Sequence, residues 1–530
     1  MAGIHSSRAD GDRRSALREL GHGRTAVAER DNEQDPAEVS TGLVAAGEAL
    51  AADFRAVEGE DWQRPGRRSD GSSFTIESLG RYLLHGPLRR RWDVAPGRVR
   101  GSEASAPSGG SPVGRGSRAS ARVGGFCTIG WVAGGTWLPA ESASRGYPGV
   151  GSAGMPVSLV ESARAVSETI RTHADEAETI RRLPAPSVEV LTEAGLMRMC
   201  VPDAYGGPEA DPMTVVRSIT EVARADGSAG WCVMIASTTS SMAAFLPPEV
   251  ARKIYGPADS ITGGVAAPNG VGEVAESDGA PGWSVTGRWP WGSGTQHSQW
   301  ILGGARCDGE WRFCFVPRQD VEFHDTWYTG GMRGSGSLDY SIDHLFVPGD
   351  HMLTVGRMRR QVDTPLARFP NFTLLATGVA AVSLGIARRA LDEVVDIARG
   401  KRPQFSSRTL ANSSYTQVEV AKAESSWRAA QAFLLDELAS AWEVAGRGDP
   451  VSVDRRVGIR LAAAHAASVC ADVVGTAYTL AGGTAVYDTC VLGRLLRDAH
   501  VVTQHIQTAP KLNEPLGKAL LGVDVDVSMF

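Results

Sequence analysis

The sequence predicts an α+β protein with three structured parts: a helical region at 155–259, a β region at 260–350 and a helical bundle at 351–530. Three observations carry this. Apolar residues recur at helical spacing between Val160 and Phe245. The period then shortens to runs broken by Gly, Pro and Asp from Ser260 to Pro348. Long helical periodicity returns at Leu374, in four stretches that predict a bundle.

Residues 1–154 differ in kind. They contain no lysine and, beyond Met1, no methionine. Stretches such as Gly101–Arg122 have too few large apolar side chains to offset the entropy of ordering. The region is expected to be disordered, apart from a short helix near Val39–Val57, or to be upstream sequence preceding a true start at Met155. Gly149-Val-Gly-Ser-Ala-Gly154 has dinucleotide-binding spacing, but Tyr147-Pro148 stands where a strand is required. No nucleotide site is expected there.

From Ser158 to Arg182, Val160, Ala163, Val166, Ile170 and Ala174 share a helix face that stops at Leu183-Pro-Ala-Pro186. Short helices follow at Ser187–Glu193 and Thr214–Arg224. Asp226-Gly-Ser-Ala-Gly-Trp231 opens an apolar helix that reaches Phe245. Strands are expected at Trp283–Gly287, Trp300–Ala305, Trp311–Val316 and Tyr340–Val347, as a small barrel. The bundle helices are expected at Leu374–Arg399, Ser414–Ala445, Val457–Ala481 and Val491–Gln504.

Charge and cysteine usage narrow the function. A formal net charge of -6 gives no reason to expect nucleic acid or an anionic membrane as a partner. No apolar run is expected to span a bilayer, and no secretory signal opens the chain. The seven cysteines are scattered and form no Cys-x-x-Cys, which points to reduced thiols in a cytoplasmic protein and to no zinc site.

The stretch Gly287–Trp300 carries the chemistry. Trp289, Trp291 and Trp300 are set among small residues, and Gly292 and Gly294 allow the backbone to approach a flat ligand. Ser293 adds one hydroxyl between them. Indoles beside bare backbone suit a planar, electron-rich cofactor. Taken alone, the stretch better fits a half-buried strand whose aromatics fill a core.

Its surroundings resemble the acyl-CoA dehydrogenase fold superfamily over 156–530. The resemblance lies in Glu193-Ala-Gly-Leu196, Val201-Pro-Asp-Ala-Tyr-Gly-Gly207, Trp291-Gly-Ser-Gly294 and Gly331-Met-Arg-Gly-Ser-Gly-Ser-Leu-Asp339. It continues in Phe346-Val-Pro348, Gly385-Ile-Ala387, Gly482-Gly483 and Leu495-Leu-Arg-Asp498. It implies an N-terminal helical domain, a central β-barrel domain and a C-terminal four-helix bundle.

Dehydrogenases of this superfamily remove a substrate proton with a glutamate placed soon after the Arg-Asp pair. Here no carboxylate follows Asp498 through Thr508, and Ile506 occupies that place. His505 instead looks like the histidine of the two-component flavin monooxygenases acting on 4-hydroxyphenylacetate, phenolic steroid rings, dibenzothiophene and indole-3-acetate. The Asp226–Trp231 segment and the Gly331–Asp339 loop are most similar to the indole-3-acetate and polyketide hydroxylases.

The resemblance implies catalytic roles for His505 and Ser293, with Ser293 at flavin N5. It also implies flavin contacts from Trp231, from Ala266-Ala267-Pro268 in a loop before the barrel, and from Trp291, Gly292 and Arg333. Gly482 and Gly483 would touch flavin too, and Arg399 and Arg402 would reach its phosphate across a subunit boundary. It implies reduced FMN or FAD with O2 as co-substrate, a small aromatic substrate, a separate NAD(P)H:flavin reductase and a homotetramer.

Plainer readings stand beside these. His505 also fits a helix-end histidine, Arg333 a loop-structuring arginine, Gly482-Gly483 a helix cap, and Arg399 and Arg402 a solvated cluster. His297 fits a flavin-site residue and a strand end equally. His500 and His505 lie off a common helix face and are not expected to share a metal. An amino-sugar N-oxygenase, an acyl-CoA dehydrogenase and a non-catalytic flavin-binding subunit are the alternative functions.

Overall fold

The structure is a computed structural model that describes residues 158–527 and two short strands nearer the first residue. These lie in separate units, Met1–Ser142 and Ala143–Phe530. In the first unit Pro65–Arg67 pairs antiparallel with Ser73–Thr75, where no ordered element is expected. Asp70-Gly71, between them in sequence, is a dipeptide that favours hairpin turns. The helix expected at Val39–Val57, the start at Met155, the Gly149–Gly154 run and Cys127 lie outside the described residues.

The second unit opens with three short helices, α1–α3 (Leu159–Ala165, Ser167–Thr172 and Ala174–Ile180), where a single one is expected. Ser158 and Glu161 cap α1 reciprocally. The joints are Val166 and His173, with ψ of -7° and 6°. Beside them Ser167 and Thr172 donate their hydroxyls to the carbonyls of Ala163 and Glu168, a back-bonding that bends helices. Next come α4 (Ala185–Glu193), α5 (Pro212–Ala225), α6 (Gly227–Ser240) and α7 (Pro248–Tyr255). Asp211 caps α5 and Asp226 caps α6, each carboxylate accepting an amide three residues on.

One seven-stranded sheet follows: β1 (Thr262–Ser277), β2 (Ala280–Trp289), β3 (Trp300–Cys307), β4 (Glu310–Pro317), β5 (Glu322–His324), β6 (Asp339–Pro348) and β7 (Met352–Thr354). The spatial order is β5-β6-β2-β1-β3-β4-β7, with β1 and β3 parallel and every other pair antiparallel. The pairing ends at β5 and β7, each only three residues long, with Met352 and Leu353 of β7 buried.

One face of the sheet gathers Val285, Trp289, Ile301, Ala305, Cys314, Val316, Tyr340 and Ile342 into its own core. The indole of Trp289, fully buried, lies across Gly270, Gly287 and Gly303, where a Cβ would stand 2.6–3.0 Å from its ring. It stacks on Tyr340 with centroids 5.3 Å apart and donates Nε1–H to the Gly304 carbonyl at 2.7 Å. Leu302, Phe313 and Phe315 pack the other way, against Ile254, Tyr255 and Phe245.

Strand β1, the longest, is not among the strands expected, because its Gly, Ala and Pro residues read as loop. Ala266-Ala267-Pro268 therefore sits within this strand and not in a loop before the sheet. Register shifts on either side of Pro268 form the bulge that accommodates it.

The helical bundle contains α8 (Pro365–Arg368), α9 (Asn371–Gly400), α10 (Ser414–Gly446), α11 (Val453–Ala481), α12 (Val491–Val502) and α13 (Asn513–Leu520). Trp427 of α10 donates its indole N–H to Leu384 of α9 at 2.9 Å. Helix α9 and the stretch Val453–Val486 are long and apolar enough to cross a membrane, contrary to the expectation that no run qualifies. Their most apolar windows are 83% and 67% buried against the rest of the fold, so these are core helices. The described cysteines are free, and all except Cys490 are buried.

Candidate functional site

Trp231 brings the two expected catalytic residues together. It lies in the second turn of α6, 8% exposed, where the Asp226 cap fixes the start of the helix. Its Nε1–H donates to Ser293 Oγ at 2.9 Å. Its ring meets His505 edge-on, with centroids 5.3 Å apart and planes at 81°. A single indole thus spans from the hydroxyl to the imidazole.

Ser293, 4% exposed, belongs to the turn that leaves β2. Gly292 donates its amide to the Leu338 carbonyl at 2.9 Å and Gly294 donates to Ser335 at 3.2 Å, pinning the turn against the Gly331–Leu338 loop. A Cβ on Gly292 would stand 2.7 Å from the Tyr340 ring, so only glycine lets this backbone lie so close. Trp291 just before it has φ of 65° and is 68% exposed. A left-handed tryptophan is an uncommon backbone state that costs on the order of 1 kcal/mol or more, and such residues gather at functional sites.

His505 stands three residues past the end of α12, which stops at Val502, two residues short of the expected Gln504. Its Nδ1 accepts the Gln507 amide at 3.3 Å, so the neutral ring carries its proton on Nε2. Burial lowers its pKa to about 4, and the positive charge of Arg460 contributes. The imidazole is neutral at physiological pH. Arg460, buried in α11, bonds the Gln507 side chain and so holds the turn that presents His505.

A second titratable group braces the same site. Asp498 of α12 is 1% exposed, and its Oδ1 accepts the Met332 amide at 2.5 Å, anchoring the Gly331–Leu338 loop. Burial pushes its carboxyl up to about 7, and the nearby carboxylates of Asp226 and Glu178 add to the shift. Its folded pKa therefore lies above the unfolded value. The stability it contributes is complete below about pH 4 and is lost as pH rises through about 7. Asp498→Asn keeps an acceptor for Met332 and removes the charge. Its melting temperature is expected to exceed wild type at pH 8–9, by roughly the equivalent of a few kcal/mol, and to converge with it toward about pH 4. A constant difference across that range would contradict this assignment.

The remaining expected contacts lie apart from this cluster. The guanidinium of Arg333 donates to the carbonyls of Glu178 and Thr329 and so ties its own loop to α3. Arg399 pairs with Asp396 in solvent, and Arg402 is exposed. Between them Lys401, absent from the expected set, donates to the Ala481 carbonyl at 2.5 Å and brings this segment to Gly482. Gly482 has φ of 53° and closes α11, and Gly483 opens to solvent. Ala266 and Ala267 turn their carbonyls toward Gly304, and Ala266 accepts the Trp311 indole N–H at 2.9 Å.

His297 faces the turn from behind. A Cβ on Gly294 would stand 3.3 Å from its Nε2, which is buried and has no hydrogen-bond partner. Burial, then Arg318, lowers its pKa to about 4. The sequence did not point to Ser335, Ser337, Arg460 or Gln507. Ser335 and Ser337 stand there only as members of the Gly331–Asp339 loop, and Arg460 as a charge inside the apolar run Val457–Ala467.

Comparison with known proteins places these features in context. Residues 158–255 match the family model for the acyl-CoA dehydrogenase N-terminal domain, and 377–510 match that for the C-terminal domain. Indole-3-acetate monooxygenase of Pseudomonas putida is 33% identical over 341 residues, covering 63% of this chain and 86% of that protein. The oxygenase component of the FADH2-dependent resorcinol hydroxylase of a Rhizobium species is 27% identical, covering 69% and 95%. The crystal structure of 3-HSA hydroxylase from Rhodococcus sp. RHA1 superposes with a TM-score of 0.66 at 26% identity, covering 70% and 99%.

Proposed function

From the premise that this chain belongs to the acyl-CoA dehydrogenase superfamily, on its flavin-dependent monooxygenase branch, we propose that it hydroxylates a small aromatic or polycyclic substrate, phenolic or indolic, with O2. Reduced flavin, FMN or FAD, comes from a separate reductase. The observation that supports this best is the placement of Trp231 between Ser293 and His505.

The residues present fit a flavin. Gly292 and Gly294 provide bare backbone, Trp291 offers an exposed indole face, and His297 holds an unpartnered nitrogen behind them. When bound, reduced flavin supplies two electrons and activates O2, one atom entering the ring and the other leaving as water. Ser293 orients the cofactor at N5. Neutral His505 offers Nε2–H as a hydrogen-bond donor to the reacting oxygen or to a substrate hydroxyl. Trp231 keeps water from the space between them. Arg399 and Arg402 bind flavin phosphate from a neighbouring subunit, and a homotetramer covers the exposed Phe405, Val486 and Tyr487. A cytoplasmic setting accords with the free thiols.

The test is anaerobic loading with reduced FMN or FAD, followed by mixing with isotopically labelled O2 and indole-3-acetate or a panel of phenols. One labelled oxygen per product, formed only when reduced flavin is supplied, is the expected result. Bleaching of bound FAD by an acyl-CoA without O2 would move the protein to the dehydrogenase class.

A further inference from the structure

We infer that Ser335 and Ser337 are positioning residues that lock Ser293 as a hydrogen-bond acceptor toward the cofactor, making the site selective for the reduced form of flavin. This rests on the flavin reading above and concerns two side chains which that reading does not use.

The inference follows from counting hydrogens. Ser335 Oγ lies 2.7 Å from the Met332 carbonyl, Ser337 Oγ lies 2.7 Å from Ser335 Oγ, and Ser293 Oγ lies 2.6 Å from Ser337 Oγ. Oxygens this close must have a hydrogen between them. A carbonyl has none to give, so the only hydroxyl hydrogen of Ser335 goes to Met332. Ser335 must then accept from Ser337, and Ser337 must accept from Ser293. Each step uses the one hydrogen its serine has.

At the end of the chain, Ser293 has no hydrogen left. Its oxygen also accepts from Trp231 Nε1, which leaves one lone pair uncommitted. All three serines are at most 4% exposed, so water does not readily supply the missing partner. The chain is also anchored at its far end, because Asp498 accepts the amide of the same Met332 whose carbonyl terminates it.

N5 of reduced flavin carries a hydrogen, whereas N5 of oxidised flavin presents only a lone pair. A Ser293 locked as acceptor pairs with the first and repels the second. Oxidised flavin would bind only by breaking the hydroxyl chain or by leaving two buried acceptors facing each other. The site would then discharge its cofactor after each turnover and refill with the reduced form.

The test measures dissociation constants of oxidised and dithionite-reduced FMN and FAD, anaerobically, for wild type, Ser335→Ala, Ser337→Ala and Ser337→Thr. Wild type is expected to favour reduced flavin by roughly tenfold or more, equivalent to raising the bound flavin's midpoint potential by ~30 mV per factor of ten. Ser335→Ala breaks the chain two hydroxyls away from Ser293. Ser337 is then free to turn its hydrogen back, and the hydrogen of Ser293 is released toward N5. Both alanine variants are expected to lose most of the preference, chiefly by tightening oxidised flavin, and Ser337→Thr to keep it.

A merely structural defect would weaken both redox forms together and leave their ratio unchanged. Folded alanine variants with the wild-type ratio would overturn the inference while leaving the flavin reading intact. Should neither alanine variant fold, a wild type that binds oxidised flavin as tightly as reduced would overturn it by itself. A wild type that binds neither form would remove the flavin reading and this inference with it.

Discussion

Replacing His505 by alanine is expected to slow hydroxylation by about 10²–10⁴-fold, the usual worth of a positioned acid–base group. Flavin reoxidation should continue, its electrons diverted to hydrogen peroxide. The expectation follows from the protonation state. A pKa of about 4 keeps the ring neutral, and the Gln507 amide on Nδ1 leaves the donor on Nε2. The wild-type pH profile should accordingly show no limb from His505 between about pH 5 and pH 8. Arg460→Met removes the positive charge that helps depress the histidine and also loosens the Gln507 turn, so it should weaken activity and raise the His505 pKa. Full hydroxylation by His505→Ala, with product matching flavin consumed, would take the catalytic role from this residue.

Trp289→Ala is expected to destabilise the protein by about 3–5 kcal/mol, at the upper end for a core aromatic. Three glycines on adjacent strands shape a slot for this one indole. The variant also loses the bond to the Gly304 carbonyl and the stack on Tyr340. Trp289→Phe keeps the stack and should recover part of the loss. The check is the denaturation midpoint of the three proteins. An alanine variant within about 1 kcal/mol of wild type would mean that the sheet closes around the void.

Much of this was legible in the sequence where a local pattern carried it. The long bundle helices were readable because buried faces repeat every turn over many residues, as from Leu374 to Arg399. Asp226-Gly-Ser-Ala-Gly-Trp231 announced the start of α6, and the glycines on either side of Ser293 announced backbone that a flat ligand could approach. What escaped was set by contacts between distant segments. Strand β1 looks like a loop because its glycines answer to neighbouring strands, Gly270 to Trp289, Gly264 to Leu302 and Gly272 to Cys307, which no window along the chain reveals. Ser335 and Ser337 were visible as part of a Gly/Ser loop, but nothing in their spacing connects them to Ser293, some forty residues earlier. His505 was found through resemblance to a family; periodicity alone would have left it as the end of a helix.

The cluster draws on α6, the turn after β2, the Gly331–Leu338 loop and the residues around α12, with Trp231 at one end of that span and His505 at the other. Contacts of such long sequence separation form late, after the loops between them have closed. A ribosome-bound chain that has not yet emerged through α12 lacks both the imidazole and the carboxylate that anchors the serine loop. Until then the nascent protein lacks the imidazole proposed to couple flavin oxidation to hydroxylation. On that reading, productive coupling arrives only with the last helices, when the surrounding fold is there to contain the reaction.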